Sequence, residues 1–134
     1  MPKLTQGYDT LQMTMLFDFF SDLLTEKQRD YFDLYYNEDL SLSEIAERAG
    51  ISRQGVHDII TRAEKSLAEI EDKTGVVKKW LDMDAQLREA GNIARELLRM
   101  TGGEGEYAVL VRRMILAIEG MTDPGGKADE PRLR

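Results

Sequence analysis

Residues 41–67, SLSEIAERAGISRQGVHDIITRAEKSL, decide the fold. Ser41 stands three residues before Glu44, the spacing of a capping box, so a helix starts there. Ile45, Ala46 and Ala49 give that short helix its apolar side. Gly50 follows, where a residue without a Cβ can turn left-handed and stop the helix. Ile51 is expected to plug the angle between this helix and the next. Ser52 caps a second helix, whose apolar positions Val56, Ile59, Ile60, Ala63 and Leu67 recur at helical spacing. A short helix, a Gly turn and a longer helix make a helix-turn-helix, a unit used by many DNA-binding proteins.

Upstream, the first eight residues read as a loose lead-in. A helix is expected over about residues 9–24, with Asp9 or Thr10 near its cap. Met13, Leu16, Phe17, Phe20, Leu23 and Leu24 share one wide apolar face. Leu11 and Met15 lie roughly opposite, as ordinary exposed residues or as contacts to a second chain or to the C-terminal helices. Thr25 and Gln28 form another capping box, which opens a helix running to about Asn37. Tyr31, Phe32, Leu34 and Tyr35 are its core candidates, with Tyr36 partly exposed. At this spacing the rings read as core rather than as platforms for nucleobases. Asn37 to Leu40 is a turn in which Asn37 and Asp39 tolerate unusual backbone angles.

Downstream, the second helix of the unit extends to about Asp72, and Lys73-Thr74-Gly75 ends it. Trp80, Met83, Leu87, Ala90, Ala94 and Leu97 then repeat in a seven-residue pattern, which suits a helix packing along another helix. Gly91-Asn92 reads as a break in that run. Residues 101–105, TGGEG, form a loop before a last helix over about 106–120 that carries Tyr107, Val111, Met114, Ile115 and Ile118. The organisation expected is a helical domain over 1–73, a helical extension over 74–121 suited to self-association, and a disordered tail over 122–134. The fold class is all-α.

With 134 residues, the chain can bury one sizeable core. Its 42% apolar and 32% charged residues are those of a globular protein. No apolar run is long enough to span a membrane, and no signal peptide is visible, so no membrane insertion is expected. The absence of cysteine excludes disulfides and thiol chemistry. The net charge is −7, and residues 1–73 carry all of it, with eight basic against fifteen acidic side chains. A DNA binder usually carries a basic footprint, so this balance argues partly against one.

Chemistry-bearing constellations are few. His57 is the only histidine, and with no cysteine it builds no metal site. Gly102, Gly103 and Gly105 follow no strand and precede no Gly-Lys-Ser/Thr, so they form no phosphate loop. No enzyme signature and no cofactor site are found. What remains is the outer face of the second helix of the unit. Ser52 can offer its hydroxyl or the helix N-terminal amides to an anion. Arg53 and Gln54 occupy the first turn, where a recognition helix meets base edges, Arg suiting guanine and Gln suiting adenine. His57, Asp58, Thr61 and Arg62 continue the polar surface. The contact set expected is Ser52, Arg53, Gln54, His57, Thr61 and Arg62. Gly55 is out of place inside a helix, where it costs about 1 kcal/mol against Ala. Within residues 41–65, Arg48, Arg53, Arg62 and Lys65 are balanced by Glu44, Glu47, Asp58 and Glu64.

The same tract resembles the helix-turn-helix of region 4 of bacterial sigma factors. The longer tract from Leu16 to Leu67 resembles the YlxM family, small bacterial proteins encoded beside the signal recognition particle GTPase. LFDFFSDLLTEKQ, LYYNEDLSLSEIAE and SRQGVHD carry that likeness, over about residues 11–72. The family usually has an aliphatic or aromatic residue at His57 and Ala at Gly55. The resemblance implies an all-helical cytoplasmic protein that assists or regulates the signal recognition particle pathway, with that particle's protein or RNA as partner. The family is also described as DNA-binding on the strength of its helix-turn-helix. The alternative reading is a DNA-binding regulator acting as a homodimer, which reads bases through Arg53, Gln54, His57 and Thr61.

Overall fold

The structure is a computed structural model that describes residues 7–121, and all regular elements among them are helices. In chain order they are α1 (Thr10–Phe20), α2 (Glu26–Tyr36), α3 (Leu42–Ala49), α4 (Arg53–Thr74), α5 (Val76–Met100) and α6 (Glu106–Met121). The tail expected from residue 122, and most of the expected lead-in, lie outside the described residues. The chain divides between Val77 and Lys78 into two compact units. No described helix is long and apolar enough to cross a membrane.

Local chemistry starts each helix of the first unit. Asp9, Thr25 and Ser41 are N-caps with complete capping boxes, in which each cap side chain accepts the backbone N–H of Gln12, Gln28 or Glu44. The Glu44 carboxylate is held below its ordinary range, first by the Ser41 backbone N–H and then by the Ser41 hydroxyl. Between α1 and α2 the helix tightens to a 3-10 turn over Ser21–Leu23. This corrects the single helix expected to Leu24. The tighter turn rotates Leu23 out to 69% exposure, while Leu24 stays buried. Leu11 is exposed, whereas Met15 packs against the core.

Two clusters make the core of this unit. In one, Met13, Leu16, Phe17 and Phe20 of α1 meet Phe32 of α2 and Ala63 and Leu67 of α4. Phe17 stacks on Phe32 with ring centroids 4.4 Å apart, and Phe32 on Tyr36 at 4.2 Å. Burying Phe32 and Met13 completely is worth roughly 1.5–3 kcal/mol each. In the other cluster, Leu42, Ile45 and Ala46 of α3 close on Val56 and Ile60 of α4. Tyr36 belongs to the margins of both. Val77, in the first turn of α5, adds to the first cluster. Its N–H donates to the buried Glu71 carboxylate at 2.9 Å, which places an anion at a helix start where free amides need partners.

The second unit is an antiparallel helical hairpin. Arg95 of α5 pairs with Glu119 of α6 at 3.1 Å, and Arg112 donates to the Gly103 carbonyl across the loop. The inner seam joins Gly91 and Ala94 of α5, flanked by half-buried Leu87 and Leu98, to Ala108, Val111, Ile115 and Ile118 of α6. The expected break at Gly91-Asn92 is absent, and α5 runs through it. Gly91 is buried, and a Cβ there would lie 3.5 Å from Ile118 Cγ2, so packing overrides the poor helical propensity. The loop chain turns with positive φ at Gly102, Gly103 and Gly105.

Candidate docking face

The turn of the helix-turn-helix is fixed by hydrogen bonds at both ends. Gly50 closes α3 at φ 69°, and the N–H groups of Gly50 and Ile51 donate to the Ala46 carbonyl at 2.9 and 3.3 Å. The Ser52 hydroxyl oxygen accepts the Gly55 N–H at 2.9 Å and starts α4. That oxygen is therefore engaged in capping. Ile51 does not plug the interhelix angle. It is 39% exposed, and the angle is filled by Leu42, Ile45, Ala46, Val56 and Ile60. The turn ahead of α3 holds Asp39 at φ 61°, while Asn37 stays right-handed. Gly55 has a local reason. A Cβ there would stand 3.2 Å from Ser52 Oγ, so its absence leaves room for the cap.

Ser52, Arg53, Gln54, His57, Thr61 and Arg62 are all exposed. By helical angle Gln54, Thr61 and Arg62 turn away from the cluster built on Val56 and Ile60, His57 stands between, and Arg53 lies near the azimuth of Ile60, at the edge of that cluster. Two of them are tied to Asp58. Gln54 donates to its Oδ1 at 2.8 Å, and His57 Nδ1 lies 3.6 Å from the same oxygen. Adjacent side chains thus approach more closely than the turn angle between them suggests. Among the described residues, no group of three or more His, Cys, Asp or Glu stands together as a metal cage.

The charge of this face differs from that of the segment. Glu64 is only 4% exposed and accepts the Tyr36 hydroxyl, so it turns inward. From Arg53 to Lys65, the exposed charges of α4 are Arg53, Arg62 and Lys65 against Asp58 alone. Sequence counting ranked Glu64 with the surface acids because its partner lies 28 residues away. Arg53 also borders an open cleft of about 450 Å³, together with Tyr35, Asp39 and Glu44. Tyr35, Asp39 and Glu44 fall outside the sequence-derived contact set, and only their convergence in space relates them to Arg53.

Comparison with known proteins matches residues 8–96 to a family model described as "Putative helix-turn-helix protein, YlxM / p13 like", UPF0122. The chain is 55% identical over 75 residues to a UPF0122 protein of Caldanaerobacter subterraneus subsp. tengcongensis, covering 56% of this chain and 64% of that one. It is 42% identical over 105 residues to a UPF0122 protein of Geobacillus kaustophilus, covering 78% of this chain and 93% of that one. A Bacillus thuringiensis UPF0122 protein is 40% identical over 110 residues, or 82% and 94% of the two chains. The matches of highest identity thus span less than two thirds of the relatives' own length, and the broader ones span nearly all of it.

Proposed function

Because this chain belongs to UPF0122, the YlxM / p13-like helix-turn-helix family, we propose that it is a non-enzymatic, cytoplasmic regulatory protein that docks a component of the signal recognition particle pathway through the outer face of α4. The observation that carries the docking reading is the exposure of Ser52, Arg53, Gln54, His57, Thr61 and Arg62 together on a helix whose start is fixed by caps. The pathway is supported by the resemblance of the Leu16–Leu67 tract. Away from the α4 face, the first unit, whose residues 1–73 carry the whole −7 balance, suits a basic protein surface. The particle's RNA suits the α4 face itself.

A second reading, a dimeric DNA-binding regulator, is favoured by the local excess of cations on α4 from Arg53 to Lys65, which the inward turn of Glu64 widens. Arg53 and Gln54 would then meet base edges, His57 and Thr61 would follow, and Arg62 would sit near phosphates. The helical extension over 74–121 would supply self-association in either reading.

Two measurements with the intact protein separate the readings. Under the first, the protein changes the GTPase rate of the signal recognition particle, and Arg53→Ala abolishes the effect. Under the second, genomic DNA fragments are retarded in gels at about 50 mM salt with a steep salt slope, and Arg53→Ala lowers that slope by about 1. An unchanged GTPase rate sinks the first, and no retardation at that salt sinks the second.

A further inference from the structure

The hairpin of α5 and α6 buries one seam and leaves a second one open. Along α5, Met83, Ala90, Ile93, Leu97 and Met100 recur at heptad spacing and are all exposed, Ile93 at 60% and Met100 at 77%. Along α6, Tyr107, Leu110, Met114 and Met121 do the same, with Tyr107 at 76%. At about 100° per residue, each open seam lies roughly 90–100° from the inner seam of its own helix and in the same rotational sense. The two helices run antiparallel. Equal offsets of the same sense therefore put both open seams on one broad side of the hairpin. A lone hairpin needs one apolar stripe per helix, whereas a helix in a four-helix bundle needs two adjacent stripes, one for each neighbour.

We propose that this broad side is the interface with a second copy of the chain, and that two hairpins stack through it into a four-helix bundle. The inference rests on the self-association reading of the extension and specifies its geometry. Residues 78–121 carry seven basic and seven acidic side chains, so the hairpin offers no net charge to attract a strongly basic or acidic partner. A second hairpin of equal neutrality meets no net repulsion. The open seams expose on the order of 1,000 Å² of mostly apolar surface, enough for the ~800 Å² that each partner contributes to a standard interface. The symmetry is two-fold, since the same face is used by both copies.

Sedimentation equilibrium of the full chain tests this. The wild type sediments as a dimer, and Leu110→Glu with Met114→Glu raises the dissociation constant by about a hundredfold or more, as each copy loses two apolar contacts at the interface. Leu116→Glu, at an exposed position on α6 well off the open seam, leaves the dimer intact. A dimer untouched by the seam substitutions overturns the bundle and leaves self-association standing. A monomer overturns both, while docking through α4 is judged separately by the GTPase and DNA assays. Peroxide oxidation of the unsubstituted protein gives an independent readout. Met114 is oxidised several-fold more slowly at dimerising concentration than on dilution, and equal rates at both concentrations also overturn the bundle.

Discussion

The Tyr36 hydroxyl donates to the buried carboxylate of Glu64, and with that acid turned inward the exposed charges of α4 from Arg53 to Lys65 are three cations against Asp58. Hydrogen bonds to charged groups are among the stronger ones, so Tyr36→Phe is expected to lower stability by about 2 kcal/mol, read from denaturant unfolding. Tyr8 makes a related but more exposed bond, 2.8 Å to Asp72. Burial, then the Asp72 bond and the nearby carboxylate charges, push its phenol up to about 12. A phenol raised in the folded state favours folding while it is protonated. Its contribution is complete below the ordinary value near 10 and fades as pH rises through about 12. Tyr8→Phe should therefore melt lower than wild type at pH 8, by about 1 kcal/mol or less, and the two melting temperatures should converge toward pH 12. Caps at Thr25, Ser41 and Ser52 are legible in the sequence because both partners lie within three residues. The Tyr36–Glu64 and Tyr8–Asp72 bonds span 28 and 64 residues, and no local pattern announces them.

At the scale of helices, starts and stops are read well where one residue type forces the backbone. Gly50 and Gly75 both end helices in the left-handed region, at φ 69° and 62°. Gly91 gives a false signal of the same kind, because propensity alone cannot see Ile118 pressing on it. A Cβ at Gly91 meets Ile118 at ordinary distance and only the movable end of Arg95 at 3.0 Å. Gly91→Ala is accordingly expected to raise the stability of the hairpin by up to about 1 kcal/mol, as the thermal melt will report. The repeat beginning at Trp80 is also half legible. It merges two stripes, Leu87 and Ala94 turned inward and Met83, Ala90 and Leu97 turned outward. A seven-residue period marks apolar positions but not the side from which a neighbour comes.

For the molecule as a whole, both core clusters of the first unit close within residues 8–77, including Tyr8 and Val77 at their edges. A chain ending at Val77 should keep a cooperative unfolding transition and a helical far-ultraviolet spectrum. A noncooperative melt would show that this core needs residues beyond Val77. The all-α class and the helix-turn-helix are readable because they rest on local periodicity and caps. The docking face is readable as a set of positions, but its charge is not, since that depends on which acidic side chain the packing of α2 against α4 draws inward.

That arrangement separates two kinds of selection. The core stripe of α4, from Val56 through Leu67, answers for folding, while Arg53, His57, Thr61 and Arg62 stand in solvent on the same helix. Exposed substitutions of this kind usually shift stability by no more than about 0.5 kcal/mol. Partner choice can therefore drift one residue at a time along α4 without passing through an unfolded ancestor.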